Sequence, residues 1–258
     1  MLYRLELDEQ NCQRLGEAFQ HSPRVDYTID CAIEGQMGQV FVDDPRHPVA
    51  FCIRTGPLWY FAGLADTPGG RELLEEFPPY HLLMPSPPEW ITAAQDLFQG
   101  KLIPMPRYSF STENLTEEHL KALIDTSPHR AKVTPLDAVL LERLAAQSQD
   151  YLGFEDFGST AEFLRRGMGF AALEGDEILG IAYSSLVCSR GIEVSLFVEE
   201  RYRRRGLGTV LASHLLLEAL GEGLRPNWDA ANPGSCKLAL KLGYKFKASY
   251  EAYYYTQE

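Results

Sequence analysis

The sequence predicts a mixed α/β protein built from two parts, and three observations carry that reading. At 258 residues the chain is long enough for one large domain or two small ones, each with a real core. Short apolar runs of strand length alternate with amphipathic stretches that open on capping residues and close on glycine. A polar connection, DTSPHRAKVTP over residues 125–135, sets a boundary near residue 128 and divides 1–128 from 129–258.

In the first part, residues 11–20 read as a short helix, and Val25 to Ile29 and Val40 to Val42 as short strands. PVAFCIRT and PLWYFAGL are apolar runs split at Gly56 and Pro57, which gives two strands with a turn between them. Thr67-Pro68 opens a helix over GGRELLEEF, since Thr caps a first turn and Pro suits its first position. YHLLM is a short buried strand, PPEWITAAQDLF a Pro-initiated helix ending at Gly100, and residues 102–110 a returning strand. No catalytic pattern occurs in 1–110, so this part is expected to serve as a scaffold or to shape a substrate site. The connection as a whole runs from 111 to 135, with a helix over 116–124 ahead of its polar stretch.

The second part is more legible. Leu136, Val139, Leu140 and Leu144 recur at helical spacing. Ser159 and Glu162 make a capping box ahead of Phe163 and Leu164, and Gly167 ends that helix. GFAAL and EILGIAYSSLV are strands joined by a hairpin at Gly175-Asp176, and GIEVSLFV is a third strand. Then follow a basic loop, a helix over 207–220, a short strand around Trp228, a helix over 235–242 and a last strand reaching Tyr255. The order is α-α-β-β-β-α-β-α-β.

Composition narrows the function. With 45% hydrophobic and 23% charged residues the chain has the balance of a soluble globular protein. No window approaches the roughly 18–20 unbroken apolar residues of a membrane span. The start, MLYRLELDEQ, lacks the basic and apolar regions of a secretory signal, so a cytoplasmic location is expected. A net charge of −12 argues against nucleic acid or an anionic membrane as partner. The charge is uneven, however: residues 201–247 hold nine Lys and Arg against three acids, which points to one anionic ligand bound at one place. Five scattered cysteines with no C-x-x-C suggest neither a zinc site nor a disulfide framework and suit a reducing compartment. There is no H-E-x-x-H, His214 reads as a packed histidine in an apolar helix, and no metal is expected.

The sharpest signal is the stretch FVEERYRRRGLGT, residues 197–209. A strand feeds a loop of arginines and glycines that opens into a helix. Helix N-termini present unpaired N–H groups and partial positive charge, and Gly206 and Gly208 let phosphate oxygens approach the backbone. The spacing is neither that of a P-loop nor of the dinucleotide fingerprint. The pattern R-x-x-G-x-G at Arg203, Gly206 and Gly208 resembles the cofactor loop of the GCN5-related N-acetyltransferases. The segment NPGSCKLALKLGY from Asn232 to Tyr244 resembles that family's N-x-x-[SA]-x-x-L-x-x-K-L-G-[FY] motif. The finer pattern at Pro226, Trp228, Asp229, Asn232 and Ser235, with GMGF at 167–170 and SYEAYYY at 249–255, is similar to a bacterial branch that includes the zwittermicin-resistance type enzymes.

The resemblance implies a mixed, mostly antiparallel sheet flanked by helices; the N-terminal part, α/β in pattern and without any R-x-x-G-x-G, reads as a diverged copy of the same fold lacking the cofactor loop. It implies acetyl-coenzyme A as co-substrate, with the backbone of Leu196, Phe197 and Val198 along its pantetheine arm. Arg203, Arg204, Arg205, Gly206, Leu207, Gly208 and Thr209 would surround the pyrophosphate, and Asn232 and Ser235 would meet the arm from the other side. Lys237 or Lys241 would reach the 3′-phosphate or simply form a solvated helix face. A small primary amine would be acetylated by direct attack. Glu193, sharing a strand face with Ser195 and Phe197, is the candidate base, since a carboxylate in a half-buried strand is costly unless paired or used. Where many members carry a tyrosine the sequence has Ala239, which leaves Ser235 or Tyr244 as donors to the sulfur, Tyr244 reading more readily as core. Trp228 and Asp229 are candidates for the amine site, and Tyr250, Tyr253, Tyr254 and Tyr255 for an acceptor pocket. The alternative reading is a non-catalytic acyl-coenzyme A sensor, which would bind without turnover.

Overall fold

The computed structural model describes residues 2–146 and 156–257. The chain forms two compact units: Met1–Arg107 with Ser249–Glu258, and Tyr108–Ala248.

In the first unit, β1 (Tyr3–Arg4), β2 (Gln39–Val42), β3 (Ala50–Thr55) and β4 (Leu58–Gly63) pair antiparallel in that order. A crossover through α3 (Pro68–Glu75) returns the chain to β5 (Leu82–Leu83), parallel to β4. The helices α1 (Glu9–Ala18) and α2 (Thr28–Ile33) precede β2, and α4 (Pro88–Leu97) follows β5. Strand alternation sends Phe51 and Ile53 to one core with Leu15 and Ile29, and Ala50 and Cys52 to another with Leu73, Leu74 and Trp90. The sheet is therefore covered by helices on both faces. The strand expected over 25–29 is instead the start of α2. The Asp26 carboxylate accepts from the Thr28 N–H and the Tyr60 hydroxyl, each at 2.8 Å, and this buried turn starts a helix in place of a strand.

The second unit begins in β6 (Ile103–Ser111) and continues through α5 (Glu117–Asp125), β7 (Val133–Pro135), α6 (Ala138–Ala146), α7 (Thr160–Arg166), β8 (Gly169–Glu174), β9 (Glu177–Cys188) and β10 (Gly191–Val198). Then come α8 (Leu207–Gly221), β11 (Arg225–Asn227), β12 (Asp229–Ala230), α9 (Pro233–Leu242) and β13 (Lys245–Tyr254). Strands β7, β8, β9 and β10 are antiparallel neighbours, and β11 joins β10 in parallel. This repeats the order of the first unit: a strand, two helices, three antiparallel strands, a helix and a parallel strand. The closing strand is exchanged in each case. Beside β5 lies the end of β13, through Tyr253 and Leu83, and beside β12 lies the end of β6, through Ser109 and Asp229.

The division of the chain thus falls at Arg107, ahead of the polar connection, and the last residues return to the first unit. Helix α5 belongs to the second unit because Leu120 is buried with Ala212, Leu216 and Leu242. In α6 the buried residues are Leu140, Leu141 and Leu144, while Val139 is 62% exposed. Helix α8 is buried on most sides, packing Val210, Leu211 and Leu215 into one core and Ala212 and Leu216 into another, which fixes its N-terminus.

Candidate active site

The site arises where one strand direction changes sheet. Arg225–Asn227 pair in parallel with Gly191–Glu193, but beyond Trp228 the chain pairs with β6 instead. From Glu193 onward β10 and β12 therefore diverge, and a cleft of about 620 Å³ opens between them. Val194 to Val198 form one wall, and Trp228, Asp229, Asn232, Ser235 and Leu238 are on the other. Arg203, Arg204, Gly206, Gly208 and Thr209 close one end.

That end is lined by arginines and by a turn that leaves backbone N–H groups unpaired. Arg204 has φ 60° and Gly206 φ 89°, so the backbone curls through the left-handed region twice before α8 begins. The N–H groups of Arg204, Gly206, Leu207 and Gly208 make no hydrogen bond among the described residues, the Arg205 N–H closing a turn over Arg203 and Arg204 and the first bonds of the helix being Thr209 and Val210 to the Gly206 carbonyl. A left-handed arginine is strained, and strain of this kind collects at ligand loops. The loop is braced from two sides: Arg203 Nε donates to the Val198 carbonyl at 2.9 Å, and His129 Nε2 lies 2.9 Å from the Arg205 carbonyl. The side chains of Arg205 and Leu207 lie outside the cleft, the first over the Tyr202 ring and the second in the core.

On the opposite wall, Asn232 caps α9. Its Oδ1 accepts from the Ser235 N–H at 3.0 Å, a bond that does not use the Nδ2 donors. Trp228 is buried and its Nε1 donates to Ser235 Oγ at 3.0 Å. Asp229 lines the cleft beside it. Glu193 is only 8% exposed and sits at the last paired position before the strands part. Its Oε2 accepts from Asn227 Nδ2 at 2.7 Å.

Other residues singled out from sequence lie elsewhere. Tyr244 is in the core, tilted against Trp228, and its hydroxyl donates to the Pro226 carbonyl at 3.0 Å. Lys237 and Lys241 are on the exposed face of α9. Tyr253 and Tyr255 pack in the first unit, where Tyr255 stacks on Phe98 and donates to the Phe77 carbonyl. His214 packs on Phe170, and burial pushes its imidazole below the ordinary value. Asn227 and His129 were not singled out from sequence. Asn227 meets Glu193 only through the parallel register, and His129 reaches the loop from a distant segment. Among the described residues no cluster of metal-ligand type occurs, and no helix is long and apolar enough to cross a membrane.

The sequence matches the GNAT acetyltransferase family over residues 18–253. The chain belongs to that family. The GNAT acetyltransferases with similar sequences include an uncharacterized N-acetyltransferase, YdfB, of Bacillus subtilis (strain 168), 26% identical over 230 residues, 84% of this chain and 85% of the relative. Among solved structures, a GCN5-related N-acetyltransferase-like protein from Streptococcus suis 89/1591 superposes with a TM-score of 0.82 at 27% identity, covering 95% of this chain and 98% of that one. A tandem GNAT protein from the clavulanic acid biosynthesis pathway shares the fold, with a TM-score of 0.56 at 13% identity, over 98% of this chain and 96% of its own. The protein is accordingly a GNAT acetyltransferase with a mixed, mostly antiparallel α/β fold.

Proposed function

We propose that this chain transfers an acetyl group from acetyl-coenzyme A to a primary amine of a small acceptor, by direct attack within a ternary complex. The observation that carries the reading is the set of N–H groups of Arg204, Gly206, Leu207 and Gly208, which meet no acceptor among the described residues at the closed end of a splayed cleft. The residues present fit the co-substrate. Gly208 packs close to Leu196, Val198 and Leu238, where an added Cβ would stand 3.3–3.6 Å from their side chains, so the floor of the cleft is already filled to contact. This set of N–H groups with Arg203 and Arg204 would hold the pyrophosphate. The edge of Leu196 to Val198, which β11 does not pair, would run along the pantetheine arm, and Asn232 Nδ2 would face it.

Acetyl-coenzyme A supplies an acyl thioester when bound. The protein's task is to manage protons around it. Glu193 takes the proton of the attacking amine, directly or through water, and Asn227 fixes the carboxylate in place. Asp229 and Trp228 form the amine side of the cleft and suit a cationic acceptor. Ser235 offers its hydroxyl to the sulfur, in place of the tyrosine that Ala239 replaces.

The first unit we read as a diverged copy of the fold that has lost the cradle. The corresponding helix start is Thr67-Pro68-Gly69-Gly70, but its glycines are used for packing. A Cβ on Gly70 would fall 2.4 Å from the Leu64 carbonyl oxygen, and one on Gly69 would fall 2.4 Å from the Asp43 Cβ.

The test is thiol release from acetyl-coenzyme A against a panel of small amines, for the wild type and Glu193→Gln. Amine-dependent release that collapses in the variant is expected. Binding without release for any amine would indicate the sensor, and no binding would end the reading.

A further inference from the structure

The contact between Trp228 and Ser235 has a fixed direction. An indole N–H donates and cannot accept, so Ser235 Oγ is the acceptor in the 3.0 Å bond from Trp228 Nε1. Ser235 Oγ makes no other hydrogen bond among the described residues. Its single proton is therefore left over, on a side chain that lines the cleft. The frame around it is stiff. The Ser235 N–H is tied to Asn232 Oδ1 at 3.0 Å. Trp228 is 4% exposed and lies against Tyr244, whose own hydroxyl is used on the Pro226 carbonyl.

We propose that Trp228 is a positioning residue that holds the Ser235 hydroxyl as a donor into the cleft, directed at an anionic sulfur. The proposal rests on the function proposed above. The indole N–H occupies one lone-pair direction of Oγ, so the hydroxyl proton is held away from the indole side before any ligand arrives. The interaction is a hydrogen bond only: Ser235 keeps its proton, and no covalent bond to it forms or breaks. The geometry also accounts for a buried tryptophan whose N–H is not spent on a backbone carbonyl.

Coenzyme A with a free thiol is the probe, and the readout is the acidity of that thiol when bound. Ultraviolet absorbance of the thiolate is followed against pH, using the acetyl-coenzyme A complex as reference so that the protein's five cysteines cancel. In the wild type the bound thiol should be about tenfold more acidic than in free coenzyme A, one pKa unit, the scale of a single hydrogen bond to a charged group. Ser235→Ala and Trp228→Phe should each abolish the shift, and the double variant should lose nothing more. Should phenylalanine at 228 not fold, the benzothienyl analogue of tryptophan at that position, with sulfur replacing the indole N–H, keeps the shape and removes the donor. An unshifted thiol in the wild type, or a Trp228 variant that retains the full shift, overturns the proposal. Calorimetry on the same samples separates the two levels: absent coenzyme A binding removes the proposed function and this inference together, whereas binding with an unshifted thiol removes the inference alone.

Discussion

Glu193 and Asn227 make a pair whose two halves should fail in different ways. The carboxylate is 8% exposed and accepts from Asn227 Nδ2 at 2.7 Å, a short bond to a charged group. Asn227→Ala withdraws that donor from a charge still buried, at a cost of about 2 kcal/mol. In a protein of this size that corresponds to a fall in melting temperature of roughly 4–8 °C. Glu193→Gln instead removes the charge, and its amide oxygen can accept the same bond. Its melting temperature should stay within about 2 °C of the wild type, since a buried charge contributes little net stability. Its amine-dependent turnover should fall by about 10²–10⁴, the usual contribution of a general base. Thermal melts and thiol-release rates on the two single variants are the assay. Turnover preserved in Glu193→Gln, or an Asn227→Ala protein that melts like the wild type, would refute the reasoning.

Two further outcomes follow from the packing. Removing residues 249–258 takes away buried Ala252, the Tyr253 pairing with Leu83 and the Tyr255 stack on Phe98 at 4.4 Å. At about 1.5–3 kcal/mol for a fully buried side chain, and less for the half-buried Tyr253 and Tyr255, the loss is a sizeable share of a domain's roughly 5–15 kcal/mol, so proteolysis should digest the first unit of the truncated chain faster, and an equally resistant first unit would contradict the exchanged strand. For His214, burial lowers the folded imidazole's pKa, so the unfolded chain binds more protons as pH falls through the ordinary value. That stability is present above about pH 6.5 and is lost on acidification below it. His214→Phe should therefore lose less melting temperature than the wild type between about pH 7 and pH 5, and equal losses would count against a buried neutral ring.

What the sequence shows of this site is what is local. The loop with Arg203, Gly206 and Gly208, and the cap from Asn232 to Ser235, are written in consecutive residues, and the structure places both at one cleft. Features set by long-range pairing were not visible. The parallel register that brings Asn227 to Glu193 depends on a crossover through α8, and no local pattern specifies it. The change of sheet at Trp228 needs β6, more than a hundred residues earlier, as partner. For the same reason the C-terminal tyrosines looked like a pocket lining, while Tyr253 and Tyr255 are half-buried against the core of the other unit. The polar stretch at 125–135 looked like a boundary because of its composition, yet it runs into β7, and α5 just before it is anchored by Leu120 in the second unit.

The central claim is that acetyl-coenzyme A occupies the cleft with its pyrophosphate on the loop before α8. Calorimetric titration of the wild type beside Gly206→Glu tests it most directly. Gly206 lines the cleft at φ 89° with nothing within 4 Å of an added Cβ, so a glutamate there carries its charge into the space meant for the anion. At about 5 Å and an effective dielectric near 40, each like-charge contact costs about 1.7 kcal/mol, more than tenfold in affinity. Micromolar binding by the wild type and none by the variant is the result predicted. Equal binding by both, or none by the wild type, would contradict the account.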